Sequence, residues 1–179
     1  MKKPSVHSSR KLLQGPFYDF QEDLLVRPDG QTGSYIMLQL DADAAVILAE
    51  DQEGRYILNR EYRHPTGDYL LGPPGGRLEP GEDPLVAGKR ELLEETGYGT
   101  TEILLLGTCY PFPGLCNQKI HFLWAQNCVP QAKQKLDPLE YITTELKTAD
   151  ELQREILGNH QIDAMLCTAL WYKHQFRYT

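Results

Sequence analysis

The sequence lacks the features of a nucleic-acid-binding or membrane protein. Its 18 Lys and Arg residues are outnumbered by 25 Asp and Glu residues, which gives a formal net charge of −7. Attraction to nucleic acid or to an acidic membrane needs the opposite sign. No apolar run has the length of a membrane-spanning helix, and the basic N-terminus has no apolar core of signal-peptide length. We expect a cytoplasmic protein that binds neither nucleic acid nor membrane.

Cysteine is scarce, and its spacing carries no motif. The four cysteines include no CxxC pair, and no His/Cys run has the spacing of a zinc site. Reduced thiols are the expectation for such a pattern in a cytosolic protein. A glycine-rich loop of the P-loop or dinucleotide-binding type is also missing. The sequence therefore argues against a disulfide framework and against the common nucleotide-binding loops.

What is present is an ordinary globular composition with many short apolar runs. The 179 residues suit one domain, or one domain with a small appendage. Turn signals at Pro28–Gly30 and Asp51–Gly54 each separate two apolar runs, which predicts two hairpins. Helices are predicted over residues 84–96, 148–157 and 163–175. Many strands with a helix among them and helices at the end favour an α/β fold class with a mixed sheet.

The helix over residues 84–96 has the clearest boundaries. Asp83 is a plausible N-cap, Pro84 fits the first helical position, and Gly97 fits the C-terminal cap. Its sequence places Glu91, Glu94 and Glu95 three and four residues apart, so the carboxylates lie on one side of the helix. Like charges in this arrangement repel one another, and Lys89 or Arg90 offset only part of that cost. A hard divalent cation would offset it better, because Mg²⁺ and Mn²⁺ prefer carboxylate oxygens.

This helix and the glycines before it carry a resemblance to a known family. Gly76 is followed after five residues by Glu82, and after seven more by the run Arg90-Glu91-Leu92-Leu93-Glu94-Glu95-Thr96-Gly97-Tyr98. The pattern resembles the Nudix box of the Nudix hydrolases, with Tyr98 where an aliphatic residue is usual. The resemblance implies a Nudix-type α/β/α sandwich with a mixed sheet, preceded by an N-terminal antiparallel β-hairpin region. It also implies metal-dependent hydrolysis of a nucleoside diphosphate linked to another group.

The resemblance also implies roles for individual residues. Glu91, Glu94 and Glu95 would be metal ligands, with the carbonyl of Gly75 beside them. Arg90 would orient a glutamate, and Glu82 would lie behind the ligands or bind weakly. The metal would be Mg²⁺ or Mn²⁺.

The segments outside the box resemble the branch of the family that cleaves ADP-ribose and nucleoside diphosphate sugars. Pro113 and Gly114 lie shortly after the box, and REYRHPTGDYLLGPPGG precedes it. By this resemblance Arg63 would bind the substrate phosphates, and Pro113 and Gly114 would contact substrate. One departure is Gly72, where the branch usually has glutamate. ADP-ribose is the leading substrate, giving AMP and ribose 5-phosphate.

Several alternatives stay open at this stage. The substrate could instead be GDP-mannose or another nucleotide sugar, or a nucleoside triphosphate or dinucleoside polyphosphate. A module that binds ADP-ribose without cleaving it is the non-enzymatic alternative. Residues 1–42 would form a β region that builds a two-fold homodimer, and residues 43–179 the hydrolase domain.

A further carboxylate lies at the junction of a polar loop and a strand. Glu140 follows the Lys-rich segment QAKQKLDPL. The resemblance places a catalytic base or an additional metal ligand near this point, and Asp137 is the second candidate. An ordinary charge at the edge of a strand is the alternative.

Overall fold

The computed structural model describes residues 2–158 and 161–176. They fall into two compact units, the first running up to Asp43 and including Cys109–Lys119, and the second formed by Ala44–Thr108 with the residues from Ile120 onwards. All four cysteines are free thiols, as expected. No helix within the described ranges is long and apolar enough to cross a membrane.

The first unit contains a three-stranded antiparallel sheet in the order β1-β2-β3. The predicted hairpin around Gly30 is confirmed, and it joins the second and third of these strands. The first strand lies within the predicted β region of residues 1–42, but its bounds were not predicted, because all ten of its residues are exposed and its sequence shows no alternation of buried and exposed positions. Its backbone ladder and the Arg10–Glu22 ion pair of 2.7 Å hold it in place. The strands are β1 (Ser5–Gln14), β2 (Tyr18–Val26) and β3 (Thr32–Leu40).

The second unit contains a mixed sheet of eight strands, which confirms the predicted α/β class. Its main path is β11-β5-β4-β10-β8, with β6 beside β5, β7 beside β4 and β9 beside β10. The pair β4 and β10 is parallel. The strands are β4 (Ala44–Asp51), β5 (Tyr56–Arg63), β6 (Asp68–Gly72), β7 (Gly75–Arg77), β8 (Tyr98–Gly99), β9 (Glu102–Cys109), β10 (Ile120–Pro130) and β11 (Ile142–Lys147).

Within the described residues, three helices cover this sheet and agree with the predicted positions. They are α1 (Pro84–Thr96), α2 (Ala149–Gly158) and α3 (Ala164–Phe176). Side chains alternate between the two faces along a strand, and β10 shows this directly. Leu123 packs in the core cluster that includes Leu92 of α1, whereas the Phe122 ring lies 5.3 Å from the Tyr172 ring of α3. Helices therefore lie on both faces, as in the predicted α/β/α sandwich.

Candidate active site

Helix α1 has the boundaries that its sequence predicts. The Asp83 carboxylate accepts a hydrogen bond of 2.8 Å from the Leu85 N–H, and Gly97 adopts a left-handed φ of 76° at the other end. A β-carbon on Gly88 would overlap the Leu123 side chain of β10. The glycine inside the helix therefore allows α1 to lie close against the sheet, which fixes the height of its glutamates above the strands.

Arg90 holds three of the surrounding carboxylates. Its guanidinium donates to both oxygens of Glu82, at 3.0 and 2.9 Å. It also donates to Glu91 at 2.8 Å and to Glu94 at 3.3 Å. The hydrogen bonds from Arg90 lower the pKa of Glu82. This geometry supports the expectation that Arg90 orients glutamates, with Glu82 behind them.

Glu95, one of the three predicted metal ligands on α1, is buried. Only 5% of the residue is exposed, and one carboxylate oxygen accepts hydrogen bonds from the Asn59 side chain at 2.8 Å and the Gly75 N–H at 3.0 Å. Burial raises the pKa of Glu95 to about 9, and the negative charges of Glu91, Glu61 and Glu140 add to the effect. The carboxylate is therefore fixed toward β5 and β7, inside the unit.

The glycines before the helix allow strand β7 to pass directly beneath Glu91. A β-carbon on Gly76 would overlap the Glu91 carboxylate, and one on Gly75 would overlap the Ala45 carbonyl of β4. Burial raises the pKa of Glu91, and Glu94 and Glu140 add to this, while Arg90 opposes it. Two carboxyl groups, those of Glu91 and Glu95, are thus crowded against a backbone strand.

Glu61 is a functional candidate that the sequence reasoning missed. It lies on β5, two residues after Asn59, so both side chains are on the same face of the sheet. Burial raises the pKa of Glu61, with Glu140 and Asp163 adding to the effect against the pull of Arg63. The sequence did contain one indication of this role. Glu61 lies in the second strand of the hairpin predicted around Asp51–Gly54, two residues before the predicted phosphate-binding residue Arg63.

The fold places Glu140 close enough to Glu61, Glu91 and Glu95 for its charge to act on them, although it is distant from them in sequence. Its N–H donates to the Asp137 carbonyl at 2.9 Å, and its carboxylate accepts from the Asp137 N–H at 2.8 Å. The Tyr62 N–H donates to the Tyr141 carbonyl at 3.1 Å, which fastens the end of this loop to β5. The charge of Glu140 raises the pKa of Glu61, Glu91 and Glu95. Asp137 shapes the turn that presents Glu140.

The remaining predicted residues lie in two places. Arg63 is 44% exposed and donates to Glu61 at 2.6 Å. Pro113 and Gly114 belong to the first unit, where the Gly114 carbonyl accepts a hydrogen bond of 2.7 Å from the Tyr35 hydroxyl. Pro113 lines a cavity of about 400 Å³, together with Tyr35, Met37, Tyr110, Leu115, Cys116 and Asn117.

In the described residues, no three acidic, histidine or cysteine side chains converge as a ready metal site. The carboxylates of Glu91 and Glu94 are turned to Arg90, and that of Glu95 to Asn59 and Gly75. The donor chemistry nonetheless fits a hard cation, because such ions prefer carboxylate oxygens and the charge of Glu140 adds to the raised pKa values of Glu61, Glu91 and Glu95. We refer to Glu61, Glu91, Glu95 and Glu140 as the candidate carboxylates.

Comparisons with known proteins agree with this geometry. The family model described as "NUDIX domain" matches residues 40–165. The "ADP-ribose pyrophosphatase" of Bacillus subtilis (strain 168) is 26% identical over 92% of this chain and 89% of its own length. The "Methanol dehydrogenase activator" of Bacillus methanolicus is 29% identical, with the same two coverages. The solved "Crystal structure of ADP compounds hydrolase" aligns at a TM-score of 0.87 and 22% identity, over 98% of this chain and 95% of that one.

These matches confirm the resemblance read from the glutamate helix. The structural likeness supports the fold alone at this identity, and it covers nearly the whole chain. The family match spans well over half of the residues and includes the helix, its glycines and Glu140. The chain belongs to the NUDIX domain family.

Proposed function

We propose that this chain hydrolyses the diphosphate linkage of a nucleoside diphosphate sugar, and that ADP-ribose is its substrate, giving AMP and ribose 5-phosphate. The observation that carries the proposal is the crowding of the Glu91 and Glu95 carboxylates against strand β7. Glu95 there has a pKa raised to about 9. Family membership and the likeness to an ADP-ribose pyrophosphatase support it.

The residues fit a divalent cation, and we propose Mg²⁺ or Mn²⁺. Its ligands would come from Glu91, Glu94, Glu95 and Glu140, with the Gly75 carbonyl. A bound divalent ion would neutralise charge on the phosphoryl oxygens and lower the pKa of a bound water. Binding would also offset the burial and the repulsion that together raise the pKa of Glu91 and Glu95.

The chain's own side chains would orient, bind and transfer protons. Arg90 fixes the carboxylates of Glu91 and Glu94, and Asn59 fixes one oxygen of Glu95. We propose that Glu140 accepts the proton of the attacking water or serves as an additional ligand. Arg63 would bind the phosphates through its planar guanidinium, and Pro113 and Gly114 would contact the substrate.

A substrate panel tests the proposal. Purified protein is mixed with Mg²⁺ or with EDTA, and separately with ADP-ribose, GDP-mannose, UDP-glucose, ADP-glucose, diadenosine polyphosphate, NADH and dGTP. We expect AMP from ADP-ribose with Mg²⁺ and no product with EDTA. Product from another nucleotide sugar alone would keep the chemistry and overturn the choice of substrate.

The name of the Bacillus methanolicus relative introduces a second candidate, in which the chain acts on another enzyme. The same panel separates the two functions. An absence of nucleotide products in every well would favour this second function, or a module that binds ADP-ribose without cleaving it.

We further propose that the chain is a cytoplasmic homodimer, joined through residues 1–42. Large apolar side chains are exposed on the strands and turns of the first unit, and a second copy would cover them. They are Val6, Leu13, Phe17, Tyr18 and Ile36. Light scattering should give about twice the monomer mass of 20.4 kDa, and a mass near the monomer value would contradict the dimer. Free thiols fit a reducing compartment.

A further inference from the structure

Arg63 lies between two carboxylates that come from distant parts of the chain. One of its terminal nitrogens is 2.6 Å from Glu61, and the other is 3.8 Å from Asp163. Glu61 precedes Arg63 on the same strand, whereas Asp163 lies just before α3. Because the guanidinium is planar, carboxylates near both terminal nitrogens restrict the direction in which it points.

Backbone contacts fix the position of Asp163. The Asp163 N–H donates to the Leu71 carbonyl at 2.9 Å, and the Leu71 N–H donates to the Gln161 carbonyl at 2.9 Å. A parallel bridge joins Leu71 and Ile162. The segment that leads into α3 therefore runs alongside β6 and brings Asp163 next to Gly72.

The two oxygens of Asp163 have different neighbours. One accepts a hydrogen bond of 2.8 Å from the Met165 N–H, which is the contact of an N-cap. The other faces Arg63. A residue needed only to start the helix would require the first oxygen alone, so the second oxygen is available for a separate task.

Gly72 leaves the space that the Asp163 side chain fills. A β-carbon built on Gly72 would lie 3.1 Å from the Asp163 β-carbon and 3.7 Å from the carboxylate oxygen that faces Arg63. Gly72 does not have a positive φ, so its backbone would accept a side chain. A carboxylate attached at position 72 and the carboxylate of Asp163 would therefore compete for one region beside Arg63.

We propose that Asp163 is a positioning residue that holds Arg63 in the orientation that binds the substrate diphosphate. This inference rests on the proposed function, and it gives a structural reason for Gly72. An arginine that is already ordered loses less conformational freedom when the phosphates bind. Asp163 also carries a charge that repels phosphate, so the direction of the effect on KM decides which of the two contributions dominates.

Asp163→Asn tests the proposal, because asparagine still caps a helix but removes the charge near Arg63. We expect KM for ADP-ribose to rise three- to tenfold, kcat to stay within twofold, and the melting temperature to be unchanged. Asp150→Asn is the matched control, since it removes one exposed carboxylate from the start of α2. An unchanged or lower KM in Asp163→Asn would overturn the proposal.

A double-mutant cycle shows whether Asp163 acts through Arg63. In an Arg63→Ala background, we expect Asp163→Asn to leave KM within twofold of the Arg63→Ala value. A further rise comparable to that in the wild type would show that Asp163 acts independently of Arg63, and would overturn the assigned role.

An exchange of positions gives a second test. Asp163→Ser keeps a capping residue and should raise KM, and adding Gly72→Glu should return KM to within threefold of the wild type. An unchanged KM in Asp163→Ser would show that Asp163 acts only by capping α3. A raised KM that Gly72→Glu fails to restore, with melting temperatures unchanged, would overturn the structural reason given for Gly72. Calorimetric binding of ADP-ribose is measured alongside turnover. Binding without turnover in the wild type would overturn the proposed function and leave Asp163 testable through Kd, whereas neither binding nor turnover would overturn both.

Discussion

Two clusters of charge meet at strand β5, and their composition differs. Glu61 is one of the candidate carboxylates, and burial raises the pKa of each of Glu61, Glu91 and Glu95. The preceding residue, Arg60, points to the other face of the strand. There it joins a network that alternates in sign, which we call the β11–α2 ion network and which comprises Arg60, Glu145, Lys147 and Glu155.

The shifts of pKa in the β11–α2 ion network have the opposite sign. Burial alone would raise the pKa of Glu145 and Glu155, but hydrogen bonds from Arg60 and Lys147 outweigh it and lower both values. Arg60 lies 2.5 Å from Glu145 and also bonds to Glu155, and Lys147 lies 2.8 and 2.7 Å from the same two glutamates. In the β11–α2 ion network, charges of alternating sign stabilise the fold. The candidate carboxylates have too few neighbouring basic side chains to balance them, so they are suited to bind a cation from solution.

The largest effect should come from Glu95→Gln. The substitution keeps the shape of the buried side chain but removes the charge that a divalent cation needs, so kcat should fall by about 100-fold or more. Glu53→Gln, on the exposed hairpin between β4 and β5, is the matched control and should keep the wild-type kcat. Turnover of ADP-ribose by Glu95→Gln at the wild-type rate would contradict the role of this carboxylate.

Gly76→Ala should disturb the same cluster without removing a charge. The added methyl group would overlap the Glu91 carboxylate and displace it, so kcat should fall by roughly 10- to 100-fold. The control is Gly33→Ala, where the added group meets nothing within 4 Å. Equal kcat values for the two variants would show that close approach of β7 to Glu91 does not matter.

The unfolding free energy of the metal-free protein should fall as pH rises from 5 to 8. Glu95 has a pKa of about 9 when folded, against an ordinary value of 4.5. The folded state therefore binds a proton more tightly than the unfolded state, and its stability declines between those two values. We expect a loss of about 4 kcal/mol in urea denaturation with EDTA.

Two comparisons check this assignment to Glu95. In Glu95→Gln the decline should be smaller, and Mg²⁺ should stabilise the wild type more at pH 8 than at pH 5. The β11–α2 ion network should act in the opposite direction, because its lowered carboxylate pKa values make stability fall at acid pH. Parallel pH profiles for the wild type and Glu95→Gln would exclude Glu95 as the source.

The smallest effect on catalysis is expected from Arg60→Met. Removing Arg60 leaves Glu145 and Glu155 with Lys147 as the remaining cation of the network, so the unfolding free energy should fall by about 1–3 kcal/mol. The kcat of the folded fraction should stay within twofold. Chemical denaturation and initial rates measure the two quantities, and a large loss of kcat with unchanged stability would show that the two clusters are not separate.

The sequence predicted the local structure closely where the chemistry is local. Asp83, Pro84 and Gly97 define the ends of α1 through contacts within a few residues, and turn residues define the hairpins. The bounds of β1 were not predicted, because the strand has no buried face and its sequence carries no periodic signal. It forms because β2 offers a backbone ladder, and that ladder is a tertiary contact.

The sequence by itself determined the family, the glutamate helix and the residue types suited to a cation. The tertiary structure decided which carboxylates meet. Glu61 and Glu140 join Glu91 and Glu95 only because β5 and the loop before β11 lie beside α1, and Asp163 reaches Arg63 only because residues 161–163 run along β6. Burial is the largest cause of the raised pKa of Glu95, because the fold excludes water from its carboxylate, and the charges of Glu91, Glu61 and Glu140 add to it.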